Sequence, residues 1–203
     1  VRDVPQVSIV DVPGPVPEGS VVELSSEVLS VDAPDGLTYG WLVMKGSEIY
    51  AGSASPTLSF SPDDNGDFEV ALLVTDSDGD MGRASATVSA TNVAPTPTIS
   101  VLSTEPPPAA DGTIDARAGE PMHLVSEVFD PGEADTFTYL WSVAPDTILF
   151  DEGTGTDGEE LVFTPLQAGE YWVTLALADD DQGSNETTLS LNVHEAIVVD
   201  SGL

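Results

Sequence analysis

Residues Leu37–Val43 read LTYGWLV and residues Phe137–Val143 read FTYLWSV, with the matching letters 100 positions apart (137 − 37). In an extended strand successive side chains point to opposite faces. Tyr39, Trp41 and Val43 therefore share one face, as do Tyr139, Trp141 and Val143. A Trp on the third strand of a two-sheet sandwich is the usual pin between the sheets. A chain that writes the pin twice is predicted to build two cores.

The repetition runs well beyond this heptapeptide. Gly19 matches Gly119, Leu24 matches Leu124, and Ser26-Glu27-Val28 matches Ser126-Glu127-Val128. Further on the offset becomes 103 (163 − 60): Phe60-Ser61-Pro62 matches Phe163-Thr164-Pro165, and Asp76 and Asp78 match Asp179 and Asp181. Copies of this length suit independent domains, not solenoid repeats. The expected division is 1–93, then 94–195, with 196–203 as the truncated start of a further strand or a linker.

Each copy reads as all-β. Phe68, Val70, Leu72 and Val74 alternate with outward residues, and Tyr171, Val173, Leu175 and Leu177 repeat the pattern. Val22, Leu24, Ser26 and Val28 make another one-sided set, matched by Met122, Leu124, Ser126 and Val128. Period two with β-branched residues means half-buried strands, and Gly, Pro, Asp and Ser clusters separate them. About seven strands are predicted per copy, near 5–12, 20–30, 37–45, 47–52, 57–61, 67–76 and 84–91 in the first. The fold class is two tandem immunoglobulin-like seven-stranded β-sandwiches.

Composition narrows the partners. Four Lys+Arg stand against 36 Asp+Glu, a formal charge of −32, which argues against nucleic acid and against an anionic membrane surface. No apolar run reaches the ~18–20 residues of a spanning helix, so direct membrane insertion is not expected. The chain starts at Val1 without a visible signal peptide and is read as a piece of a longer protein. Cysteine is absent, so there are no disulfides or thiolate metal sites, and bound calcium is a candidate staple.

Gly66 to Asp80 (GDFEVALLVTDSDGD) resembles the end of a PKD (polycystic kidney disease) repeat. Asp130-Pro131-Gly132 followed by Asp135-Thr136-Phe137-Thr138-Tyr139-Leu140-Trp141 is similar to the earlier half of that family. The linker Thr91–Thr96 resembles junctions between tandem copies in large bacterial and archaeal surface proteins. The first copy departs at Ser30, where the second has Asp130. The second departs at Gln182, where the first has Gly79. The resemblance implies a non-catalytic, extracellular or cell-surface module of an adhesin or secreted hydrolase. Some such modules bind calcium.

In an immunoglobulin-like sandwich the B–C and F–G loops share one end. In the second copy those loops carry Asp130, Asp135, Asp179 and Asp181, with Asn92 arriving from the linker and Glu127 three residues before the loop. Hard cations want such oxygen-rich sets, and calcium takes ~6–8 oxygens. The first copy offers Glu27, Asp32, Asp35, Asp76 and Asp78, but its incoming linker is missing. The expected role is calcium holding the domains and their junction stiff in a spacer or adhesion module, with neighbouring domains of the same chain as partners. Two plainer readings stand beside it. Asp and Gly in loops form turns without any ion, and acid richness with Lys45 as the one lysine suits a salt-loving organism. Glu27 and Glu127 equally suit solvated outward positions beside Val28 and Val128.

The remaining residues carry less. His123 and His194 are expected on the surface, and two scattered histidines build no Ser-His-Asp set. Trp172 faces away from Tyr171. It is expected at a covered edge position. An exposed Trp172 would instead favour a carbohydrate- or protein-binding accessory module, taking polysaccharide or a surface protein. Gly169-Glu170-Tyr171 reads as a tyrosine corner, for which the first copy has Phe68 and no hydroxyl. Pro106-Pro107-Pro108 is expected to stiffen an extended excursion.

Overall fold

A computed structural model describes residues 4–29, 36–102, 114–150 and 155–196. The chain divides into two compact units, Val1–Val93 with Pro131–Ala134, and Ala94–Asp130 with Asp135–Leu203. Pro106–Pro108, Asp32, Asp35 and 197–203 lie outside the described residues.

The first unit has β1 (Gln6–Val10), β2 (Val16–Pro17), β3 (Val22–Leu29), β4 (Thr38–Lys45), β5 (Glu48–Ser53), β6 (Thr57–Phe60), β7 (Gly66–Thr75) and β8 (Met81–Thr91). They form two sheets, ordered β1-β3-β6 and β2-β8-β7-β4-β5. The second unit has β9 (Thr96–Val101), β10 (Ile114–Arg117), β11 (Met122–Phe129), β12 (Phe137–Ala144), β13 (Ile148–Phe150), β14 (Glu160–Pro165), β15 (Gly169–Asp179) and β16 (Ser184–His194). Its sheets are β13-β14-β11-β9 and β10-β16-β15-β12.

The inward sets read from the sequence fill the two cores. Phe68, Val70, Leu72 and Val74 are all buried in the first unit, and Tyr171, Val173, Leu175 and Leu177 in the second. Each such side chain contributes about 1.5–3 kcal/mol on leaving water. Trp41 and Trp141 are the pins, 4% and 2% exposed. Burial of an indole is costly unless its N–H is bonded. Trp41 Nε1 donates to the Ser55 carbonyl at 2.9 Å and Trp141 Nε1 to the Gly158 carbonyl at 2.8 Å.

Among the described residues each unit has eight strands where the sequence predicts about seven, because the first strand is cut in two. β1 pairs antiparallel with β3, and β2 pairs parallel with β8. The predicted 5–12 strand stops at Val10 because Asp11 turns to φ 62 and Pro13-Gly14-Pro15 follows. Proline has no N–H for a ladder. In the second unit β9 pairs antiparallel with β11, and β10 pairs parallel with β16.

A second departure concerns the fourth strand. In the first unit β4 turns through Gly46-Ser47, with Gly46 at φ 60, and β5 runs back against it with Lys45 opposite Glu48. Such a tight hairpin wants a left-handed residue in its loop. In the second unit Pro145 stands where Lys45 would be (45 + 100), which stops the ladder, and β13 pairs with β14 in the opposite sheet.

Candidate metal centre

The register of the second unit brings the predicted loops to one end. Phe137 on β12 lies opposite Asp179 on β15, so Asp135, two residues before Phe137, is at that end of the sheet. Asp130 follows directly on β11. Asp130, Asp135 and Asp179 each offer a carboxylate oxygen, and these oxygens lie within 4.8 Å of one another. Asp179 is 6% exposed, and the other two are half-buried. A second, more open group joins Asp135 to Asp180 and Asp181.

The turn after β15 is built by its own first aspartate. Asp179 Oδ1 accepts the N–H of Asp181 at 2.9 Å and of Gly183 at 2.7 Å, and the Asp179 N–H donates to the Gly183 carbonyl at 3.0 Å. Gln182, which takes the place of Gly79, adopts φ 73. The turn thus survives the substitution with a residue that does not favour this region. Asp180 was not singled out in the sequence. Its Oδ1 accepts the Thr136 N–H at 2.9 Å, tying this turn to the loop before β12. That backbone hydrogen bond holds the Asp180 carboxyl below the usual carboxylate range.

The first unit repeats the turn. Asp76 Oδ1 accepts the N–H of Asp78 at 3.0 Å and of Asp80 at 2.9 Å. Asp78 is exposed. With Asp32 and Asp35 undescribed, no carboxylate grouping is described at this end of the first unit. Glu27 and Glu127 are exposed and lie outside every grouping among the described residues. Glu27 Oε2 accepts the Ser8 hydroxyl at 3.4 Å and Glu127 Oε1 the Ser100 hydroxyl at 3.3 Å, so both reach across to the first strand of their own unit. Asn92 lies half-buried in the first unit. Beside it, Glu18, 2% exposed and also not foreseen, accepts the Val93 N–H at 2.6 Å.

The donor set fits a hard cation. Three carboxylates converge from three chain segments, without nitrogen or sulfur ligands, as calcium prefers. Carboxylates about 4 Å apart repel by about 1 kcal/mol per pair in water and about 4 kcal/mol at an effective dielectric of about 20, and a divalent ion would reverse that sign.

The histidines do other work. His123 Nε2 meets Glu160 at 2.9 Å across β11 and β14, and His194 Nε2 meets Asp115 at 2.8 Å across β16 and β10. Trp172 departs from expectation. It is 46% exposed on an interior strand, because its cross-strand neighbours, Ala144 and Ser190, are too small to cover it. No helix among the described residues is long and apolar enough to cross a membrane.

Two sheets face to face, a buried Trp on the third strand, and a first strand shared between the sheets recur in both units. The chain is a tandem of two immunoglobulin-like sandwiches, the fold that the PKD resemblance implied. No family model matches the sequence, and no curated protein matches it. Among solved structures it is similar to the fibronectin(III)-like modules of Clostridium thermocellum CbhA, at 14% identity over 94% of this chain and 95% of that chain, with a TM-score of 0.35. A PKD domain solved in solution covers 49% of this chain and 99% of its own, at 20% identity and a TM-score of 0.32. The Yersinia pseudotuberculosis adhesin InvE matches over 93% of this chain at 13% identity and a TM-score of 0.38. This tandem spans 59% of that adhesin chain.

Proposed function

We propose that this tandem is a non-catalytic extracellular spacer or adhesion module of a larger surface or secreted protein, in which calcium held by Asp130, Asp135 and Asp179 braces the loops of the second sandwich. One observation carries the reading: carboxylates from the end of β11, the approach to β12 and the end of β15 lie within 4.8 Å of one another. An ion there would cross-link three loop anchors in a domain that has no disulfide to do so. At ~1,000 times the dissociation constant a bound ion adds ~4.1 kcal/mol to stability. Asp181 and Asp180 would serve as outer acceptors.

The test is calcium titration with thermal unfolding read separately for each unit by hydrogen exchange. Runs in low and in high sodium chloride separate a specific ion from general screening of a −32 chain. Calcium should raise the melting of the second unit in both salts, and Asp130→Asn or Asp135→Asn should remove the rise. Equal melting with calcium and with chelator would sink the metal, and a rise produced equally by sodium would leave only an acidic, salt-adapted surface.

A second reading, an accessory module that binds polysaccharide or a partner protein, is favoured by Trp172, which offers an open indole beside Ser190 and Thr174 on the outer sheet face. A glycan array with Trp172→Ala as control separates the two. Trp172-dependent binding would support the accessory role, and silence across the array would leave the spacer.

A further inference from the structure

The corner between β6 and β7 of the first unit carries Asp63-Asp64-Asn65-Gly66. Of four asparagines in the chain, at 65, 92, 185 and 192, Asn65 alone precedes a glycine. It sits half-buried in a bend immediately before β7. Gly66 holds φ 119, and no heavy atom would crowd a side chain built on it. The Gly66 nitrogen therefore has no Cβ on its own residue to shield it, and the space a Cβ would fill is open. The matching corner of the second unit, two positions offset by 103 (168 − 65), reads Ala168-Gly169 with Gly169 at φ 148. The backbone bend is shared, and the amide side chain is confined to the first unit.

We propose that Asn65–Gly66 is a site of spontaneous deamidation and isoaspartate formation in the folded protein. The Gly66 backbone nitrogen attacks Asn65 Cγ. A C–N bond forms, the side-chain amide leaves as ammonia, and a cyclic imide remains. Water opens the imide at either carbonyl, giving aspartate or isoaspartate at 65, with no oxidant or reductant involved. The consequence falls on a defined ionic cluster. Lys45, the one lysine, sits 2.6 Å from Asp64 Oδ2 and 3.6 Å from Asp63 Oδ1, and lies 5.4 Å from the centre of the Phe68 ring. A third carboxylate then follows Asp63 and Asp64 directly in the chain, and the formal charge moves from −32 to −33 (−32 − 1). The isoaspartate product also inserts a main-chain carbon where the bend feeds β7, which carries Phe68 and Val70 into the core. The inference does not depend on calcium or on the spacer role.

The full chain is incubated at mildly alkaline pH, folded and in denaturant, and mapped by peptide mass spectrometry with an isoaspartate-specific methyltransferase label. Asn65 should convert in the folded chain within an order of magnitude of its rate in denaturant, because a bend at a surface corner opens locally at low cost. Asn92, Asn185 and Asn192 should stay intact over the same period. Asn65→Ala, which copies Ala168, should fold normally and abolish the label. Asn65 intact in the folded chain while the denatured chain converts would overturn the proposal. So would no conversion in either state, or earlier conversion at another asparagine.

Discussion

In the second unit Tyr171 fills the corner before its long strand. Its hydroxyl meets Thr147 Oγ1 at 2.7 Å and lies 3.1 Å from the carbonyls of both Thr147 and Gln167. In the first unit the same position is Phe68, and the hydroxyl comes from elsewhere. Tyr50 on β5 stacks edge-on against Phe68 with ring centroids 4.9 Å apart, and its hydroxyl donates to the Ser61 carbonyl. Position 150, matching 50 by the opening offset of 100 (150 − 50), is Phe. Position 150 is not the counterpart in space, because β13 joins the opposite sheet and Phe150 is 46% exposed, so the two units supply the corner phenol from unrelated positions. The difference teaches that each corner has one phenol tied to a carbonyl of the connection from β6 to β7 or from β14 to β15. Which strand delivers the phenol is free.

The largest effects should test what the units share. Trp41→Ala and Trp141→Ala each remove a buried pin with a satisfied N–H, and each should cost about 3–5 kcal/mol. Hydrogen exchange should show loss of protection confined to the mutated unit. A clearly smaller cost at one of them would mean that the two cores do not lean on the repeated heptapeptide equally, and the parallel between them breaks there.

Next comes a position the copies do not share. A Cβ on Gly82 would lie 2.2 Å from the Pro5 carbonyl oxygen and 2.6 Å from Val7 Cγ2, because the start of the first strand crosses directly over it. Gly82→Ala should cost about 1–3 kcal/mol, since backbone must move. The counterpart by the offset of 103 (185 − 82) is Asn185, which is exposed, and Asn185→Ala should stay within about 0.5 kcal/mol. Equal effects would show that the first strand crosses both sheets alike.

The corner phenol gives an intermediate effect. Tyr171→Phe strands a buried hydroxyl partner and should cost roughly 1–2 kcal/mol, whereas Tyr50→Phe, at a half-buried site with one carbonyl partner, should cost roughly 0.5–1.5 kcal/mol. Paired substitution in the first unit, Tyr50→Phe with Phe68→Tyr, moves the phenol to the position that Tyr171 holds in the second unit (68 + 103). Recovery of stability in the double variant would establish that the corner's requirement is portable, and no recovery would tie it to the strand that carries it.

How much of this was legible follows from what periodicity encodes. Alternation reports which face is wet, so the core of β7 and β15 and both Trp pins could be read directly. The aspartates at 130, 135, 179 and 181 were legible because the repeat aligned two loops. Pairing between strands is not local. Whether the fourth strand joins β4 or β14 hinges on Lys45 against Pro145, one residue whose missing N–H is easy to overlook. Trp172 was expected under cover because a large apolar ring usually is. Its exposure depends on Ala144 and Ser190, which are neighbours only across the sheet. Tyr50 carries no local signal for the same reason, since its partner Ser61 is eleven residues away (61 − 50) and reached through space.

The smallest effect concerns the strand that the second unit ties with a carboxylate, where the first unit has the Thr91 hydroxyl donating to the Val16 carbonyl at 3.3 Å. β10 lies parallel to β16 over four residue pairs, and Asp115 Oδ1 accepts from Asn192 Nδ2 at 3.0 Å beside His194 Nε2 at 2.8 Å. The first unit's β2 has two pairs with β8, and Pro15 stands where Asp115 would be (15 + 100). The hydrogen bond to His194, and then that to Asn192, holds the Asp115 carboxyl below its ordinary value. A depressed carboxyl stabilises the fold above its unfolded pKa of about 3.9, and that contribution fades as pH falls through the folded value. Exchange protection of β10 and β16 should therefore weaken on acidification below about pH 4. Asp115→Asn should start weaker and show less of this pH dependence, because the amide does not titrate. The β2–β8 pairing, lacking this carboxylate, is the reference within the same molecule. Parallel loss of β10 and β2 protection in the wild-type chain, unchanged by Asp115→Asn, would place the acid sensitivity in the general charge of the chain and not in this tie.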